Sequence, residues 1–322
     1  MNVLRFIGAA ALGAAAVAFV SVTGVQADPL PYPNKVVTLV THSSPGGGSD
    51  VFLREMTKYL GKYIDATFVV ENVQGGSGAK AMARVATSPA DGSVFYATTP
   101  TYIYTSLMSK PQSTYKDMEP LVNIFADSEV IYTRTDGPYK SLKDVIDHAK
   151  NERGRWGAAN PASLERQAAE QLKRAAGVTP AIVTHEGGGD MMLNVLNGTL
   201  DIGIGEIQEL RSQLDAGKIT LLATFNPERI AEKPDVPTVK ELGYDVSLVK
   251  FRGLAAPKGV PEATRAIWDE AVKNLLEDPD YKKAYTAEVL VPQLIGQKEY
   301  PAFINNFAAS TEEFLKSTGA IK

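Results

Sequence analysis

The chain has 322 residues, 33 Lys and Arg against 37 Asp and Glu, 44% hydrophobic residues and no cysteine. That length exceeds one ordinary core and fits two domains, and a net charge of -4 leaves no electrostatic footprint for nucleic acid. Without Cys there is no disulfide framework, thiolate metal site or Fe–S cluster. The three histidines, His42, His148 and His185, share no HExxH or HxH spacing, which argues against a zinc enzyme. No metal and no cofactor are expected.

Residues 1–27 read as a secretory signal peptide. A short start ending at Arg5 precedes an uncharged, Ala-rich run from Phe6 to Val22, and Val25-Gln26-Ala27 ends in small residues before Asp28. This is a charged start, an apolar middle and an A-x-A-like cleavage site, so cleavage after Ala27 and export to the periplasm are expected. No Cys stands at the cleavage point to carry a lipid, and no later apolar run is long enough to span a bilayer.

The exported part alternates strand and helix. Val36–Thr41 is an apolar run, Pro45-Gly46-Gly47-Gly48-Ser49-Asp50 a glycine-rich turn, and Phe52, Leu53, Met56, Tyr59 and Leu60 recur at helical spacing. The unit repeats. A strand at Thr67–Val70 leads through Gly75–Gly78 into a helix at Ala79–Ala86, and a strand at Val94–Ala97 follows. After a break come a strand at Val130–Tyr132 and a helix Leu142–Lys150 capped by Ser141. A strand at Trp156–Ala159 and a helix Leu164–Ala176 closed by Gly177 are next. Strands at Ala181–Thr184, Leu200–Ile204 and Ile219–Ala223 complete the set, with a Gly187–Gly189 turn and a short helix after the first. The end is helical: Pro261–Leu276, Pro279–Thr286 and Pro301–Ser317, each opened by a Pro suited to a first helical turn. This order predicts α/β layers with a mainly parallel sheet.

Glycine turns at helix N-termini make anion sites, because orphan N–H groups and the positive end of the helix dipole meet there. The first turn has no Lys for a nucleotide P-loop, and Val51 stands where a dinucleotide fingerprint needs its third Gly. A carboxylate held by backbone N–H groups and Ser49 fits better. No GxSxG elbow supports a hydrolase, which stays the rival class. Glu206, Glu209 and Glu228 offer paired carboxylates for glycoside chemistry, but a solvated helix face is the expectation for Glu209 and Glu228.

Asn34–Val40 running into Pro45–Asp50 resembles the opening of the solute-binding receptors of tripartite tricarboxylate transporters, the Bug-type receptors. The likeness continues through Val70-Glu71-Asn72, Pro89-Ala90-Asp91-Gly92 and Glu186-Gly187-Gly188-Gly189. Gly198–Ile202, Ala216–Ile219, Pro234–Thr238 and Ala256–Pro261 extend it over essentially the whole exported chain. The resemblance implies an α/β, two-domain type II periplasmic-binding-protein fold with an interdomain ligand cleft. Domain 1 would hold residues 28–126 plus 250–322 with the C-terminal helices, and domain 2 residues 127–249. Two crossover strands would form the hinge. It also implies a monomeric receptor, not an enzyme, that captures a small organic acid (a di- or tricarboxylate first, an aromatic or amino acid as the alternative). Delivery would be to the integral-membrane permease subunits.

The implied ligand site is the first glycine loop, Ser44, Pro45, Gly46, Gly47, Gly48, Ser49 and Asp50, faced by Gly187, Gly188 and the turn containing Asn160 and Ser163. His42-Ser43 replaces the family's usual Pro-Phe, and Arg166 falls where a His is expected and offers a clamp for a second carboxylate. Its alternative is a surface pair with Glu170. Thr98 and Thr99 would supply polar groups, Tyr102 and Phe251 a stacking wall, and Glu206 follows Gly205, where the family commonly has Asp.

Overall fold

The computed structural model describes residues 28–322; the leader and its cleavage site lie outside them. The apolar run Val36–Thr41 forms β1, and the glycine turn feeds α1 (Gly48–Leu60), which buries Phe52, Leu53, Met56 and Leu60 along one face. β2 (Thr67–Asn72), α2 (Ala79–Ala86), β3 (Val94–Thr98) and α3 (Pro100–Ser109) follow, with β2 and β3 both pairing in parallel with β1. Then comes β4 (Met118–Arg134), a strand of 17 residues of which Val130–Tyr132 is only one segment. Its length was hidden in the sequence by Asn123, Asp127 and Glu129, polar residues that the fold nonetheless buries.

The second half contains α4 (Leu142–Asn151), β5 (Arg155–Ala158), α5 (Leu164–Ala176), β6 (Ala181–Thr184) and α6 (Gly188–Leu196). β7 (Ile202–Glu206), α7 (Ile207–Asp215) and β8 (Ile219–Thr224) complete it. β9 (Val249–Pro257) returns the chain, and α8 (Glu262–Glu277), α9 (Pro279–Ala287), β10 (Val291–Ile295) and α10 (Tyr300–Ser317) end it. Pro261 is the N-cap of α8, one place before the first turn.

The strand order is β2-β1-β3-β9-β4-β7-β5-β6, with β8 and β10 also pairing with β4. β4 and β9 run antiparallel, from Met118 opposite Pro257 to Ser128 opposite Val249. The first half of β4 pairs with β10 and the last part with β7 and β8, so this strand belongs to two lobes. One core gathers Leu39, Phe52, Phe95, Phe125, Trp268 and Tyr281, which brings α8 and α9 back onto the first lobe. The other gathers Ile131, Trp156, Leu172, Ile204 and Phe225. Helices cover the apolar faces of each sheet half, and a smaller cluster of Tyr104, Ala162, Leu164 and Leu315 packs the two lobes against each other.

Local chemistry sets the helix ends. Ser141 Oγ accepts the Asp144 N–H at 3.2 Å while the Asp144 carboxylate accepts the Ser141 N–H at 2.9 Å, a reciprocal cap. Ser141→Ala is expected to lower stability by about 1 kcal/mol, read from the urea midpoint at unchanged slope.

Candidate ligand cleft

Two glycine-rich loops from opposite lobes meet. The loop before α1 carries Ser43–Gly47, and the loop before α6 carries Glu186 and Gly187. A Cβ on Gly187 would stand 2.3 Å from Ser44 Oγ and 2.9 Å from the Ser44 backbone N, and one on Gly189 2.9 Å from the Pro45 carbonyl. Only bare backbone allows this approach. The first loop is shaped by Asp50, whose carboxylate accepts hydrogen bonds from the Gly46 N–H, Arg54 Nε and Asn72 Nδ2, each at 2.9 Å. Burial opposes the charge of Asp50, but these donors hold its carboxyl below the usual range. Asp50 therefore builds the loop.

Between the loops lies a cavity of about 20 Å³, room for a water and not for an organic ligand. His42, Ser43, Gly48, Ser49, Asn160, Gly187, Gly188 and Glu206 line it, as do Thr101, Ala159, Glu165, Glu186, Glu209 and Lys250. The position expected for a ligand carboxylate is filled from within: the Gly48 N–H at the start of α1 donates to Glu209 Oε2 at 2.9 Å. Glu209 is thus buried across the lobe boundary and does not lie on a solvated helix face, whereas Glu228 is exposed. The sequence pattern missed this because α7 turns its first turn into the cleft.

Beneath Glu209 sits a buried charge cluster. Lys250 Nζ stands 2.6 Å from Glu165 Oε1 and 3.1 Å from Glu129 Oε1, and also bonds Glu206. Arg252 bonds Asp127 Oδ2 at 2.5 Å and Ser49 Oγ at 3.2 Å, with Nη2 3.2 Å from Glu206 Oε1. Five carboxylates (Asp127, Glu129, Glu165, Glu206, Glu209) thus face two cations, all 6% exposed or less. Glu165 and Glu209 belong to the first turns of α5 and α7, and Glu206 is the N-cap of α7, where the helix dipole favours negative charge.

Burial pushes Glu129 up to about 8 against the pull of Lys250. Burial and then the charge of Glu165 push Glu209 up to about 8 as well. Burial also opposes the charge of Glu165, but the Lys250 ammonium holds it below its ordinary value. Burial and then Lys250 lower His42 to about 4, so its imidazole is neutral, with Nδ1 3.2 Å from Tyr96 OH. Oxygens of Glu129, Glu165 and Glu206 lie within 4.8 Å of one another, a spacing that suits a cation, and the Lys250 ammonium is the cation they hold.

The other expected residues sit elsewhere. Ser163 caps α5, its Oγ accepting the Arg166 N–H at 3.1 Å. Thr98 Oγ1 is 2.7 Å from Tyr300 OH, and Thr99 is buried beside it. Tyr102 and Phe251 pack edge-to-face in the core, Phe251 also against Phe303 and Phe307, so neither forms a wall of the cavity. Arg166 Nη2 bonds Glu170 Oε1 at 2.6 Å and lines a separate cavity of about 340 Å³ with Met108, Gln167 and Phe314. That is the surface-pair alternative. Arg166→Ala is expected to leave ligand affinity within twofold by calorimetry and stability within about 0.5 kcal/mol, the scale of an i,i+4 pair.

Sequence reasoning missed Lys250, Arg252, Asp127, Glu129 and Glu165, and placed Glu209 on a solvated face. A signal existed for four of them: Asp127-Ser128-Glu129 and Lys250-Phe251-Arg252 each place two like charges on one face of a strand. Asp127 stands opposite Lys250 in the pairing.

Two α/β lobes sharing two long strands and closing glycine loops over one cleft define a binding protein of the periplasmic type. Residues 52–319 match the family described as "Tripartite tricarboxylate transporter family receptor", and the chain belongs to that family, whose members are periplasmic solute-binding receptors and not enzymes. It is similar to protein BugT of Bordetella pertussis, 24% identical over 298 residues that cover 90% of this chain and 91% of the relative. Among solved structures, the periplasmic binding protein BugD superposes with a TM-score of 0.84 at 22% identity, covering 90% of this chain and 99% of that one. MatC from Rhodopseudomonas palustris with bound malate superposes with a TM-score of 0.78 at 24% identity, covering 88% and 99%. Among the described residues, no helix is long and apolar enough to cross a membrane.

Proposed function

We propose that the chain is exported, is cleaved after Ala27, and works as a monomer in the periplasm. There it captures a small organic acid by closing its two lobes and delivers it to integral-membrane permease subunits. The observation that carries this reading is the meeting of Ser44 and Gly187, from opposite lobes, above one cavity at a helix N-terminus. A ligand carboxylate would take the place of the Glu209 carboxylate at the Gly48 N–H once the lobes part. MatC, which shares the fold, has malate bound, a small organic acid of the kind this reading assigns. Lobes divided at residues 126/127 and 249/250 would hinge on β4 and β9, and a ligand touching both lobes favours the closed form.

Gly187→Ala tests the reading. Its φ is extended, so Ala fits the backbone, while the new methyl meets Ser44 only when the cleft shuts. Calorimetry with mono-, di- and tricarboxylates, with and without an amine, is expected to show binding of at least one acid by the wild type and at least tenfold weaker binding by the variant, at unchanged melting temperature. Small-angle scattering is expected to show a larger radius for the variant. Equal affinity in the variant, or no heat with any acid, would overturn capture by closure.

A further inference from the structure

We propose that the ligand of this cleft carries a positively charged nitrogen, seated against Glu165, Glu206 and Glu209, together with a carboxylate directed at the start of α1. The class is a small amine-bearing acid whose positive charges at least equal its carboxylates. The proposal rests on the reading of this cleft as the ligand site.

The argument begins with charge. Five buried carboxylates face Lys250 and Arg252 and no other Lys or Arg among the lining residues. Both cations are already ion-paired, Lys250 with three glutamates and Arg252 with Asp127 and Glu206, although Arg252 Nη2 makes no hydrogen bond. A dianion entering this dry pocket would find both cations already paired and more carboxylates than cations around it, which repel its second charge. Arg166, which would have clamped a second carboxylate, is held outside by Glu170.

The second observation is an unmet acceptor. Glu165 is 5% exposed and lines the cavity, and its Oε2 accepts no hydrogen bond. A buried carboxylate oxygen without a donor is costly and calls for a partner. Burial raises Glu129 and Glu209 toward the protonated form, which relieves the excess charge in the empty cleft, yet Glu165 Oε2 still has no donor.

Geometry then assigns the two ends. The Gly48 N–H belongs to the first lobe, whereas Glu165 and Glu209 belong to helices of the second. When the lobes part, the bond between Gly48 and Glu209 must break. The first lobe then presents a free helix N-terminus, which takes an anion. The second presents three carboxylates, which take an ammonium. A zwitterion bridges the lobes with both ends matched, and neither a simple acid nor a simple amine does.

Matched pairs of probes test this by calorimetry on the exported chain: propionate against alanine, butyrate against 4-aminobutyrate, hexanoate against lysine, with putrescine as the amine lacking a carboxylate. The amine-bearing acid of at least one pair is expected to bind tenfold or more tightly than its amine-free partner. Glu165→Gln, which keeps an oxygen for Lys250, is expected to erase that preference while preserving the melting temperature. Glu209→Gln is the second variant, expected to halve it at least. Amine-free acids binding as tightly as their partners would overturn the inference and leave the receptor reading standing. Binding of putrescine alone would remove the acid and keep the cationic subsite. No binding in any series would remove both.

Discussion

Lys250→Met is expected to destabilise the protein by about 3–5 kcal/mol at neutral pH, because removing one partner of a buried ionic cluster leaves the other charges uncompensated. Lys250 is 4% exposed and is the ammonium shared by Glu129, Glu165 and Glu206. The loss carries a pH signature. Without the ammonium these carboxyls, whose ordinary value is 4.5, titrate well above it in the folded protein. A group with a raised folded pKa stabilises below its unfolded pKa and loses that stability as pH rises through the folded value. The deficit of the variant should therefore shrink at pH 5 and widen at pH 8. Urea unfolding at both pH values measures it. A deficit independent of pH would mean that Lys250 contributes packing of its stem and not its charge.

Raising the pH is expected to open the unliganded cleft of the wild type, and Glu209→Gln is expected to suppress most of that opening. The Glu209 carboxyl is raised from an ordinary 4.5 to about 8 by burial and by the charge of Glu165, with Arg252 and the Gly48 N–H opposing and Asp127 adding to the rise. The closed form thus binds a proton that hydrated Glu209 releases near 4.5. Its stabilisation is complete below about pH 4.5 and is lost as pH passes 8, a change of the order of 2–4 kcal/mol. Glu129, raised in the same direction, adds to it from the shared strand. Parting the lobes hydrates Glu209 without unfolding either core, so opening is the expected response. Gln keeps an acceptor for the Gly48 N–H and has no charge to desolvate. Scattering at pH 5 and pH 9 decides the matter: an equal radius for the wild type at both values would show that Glu209 stays ionised in the closed cleft.

The alternation of elements and both glycine loops are written in local sequence signals. The strand Val36–Thr41, the helices Ala79–Ala86 and Leu164–Ala176 and the strand Ala181–Thr184 stand where periodicity and capping residues put them. Those signals are local: apolar spacing, a Ser at the N-cap, a Gly in the left-handed region after the last turn. The resemblance to the receptor family pointed to His42, Ser43, Gly48, Ser49, Asn160, Gly187, Gly188 and Glu206, and these residues line the cavity between the loops. The charge of the cleft emerges only when the lobes are folded together. Glu129, Glu165, Glu209 and Lys250 come from four different elements more than thirty residues apart in sequence, and each reads locally as an ordinary solvated residue. A buried ion cluster is a property of how strands and helices from two lobes converge, and no window of sequence records that convergence.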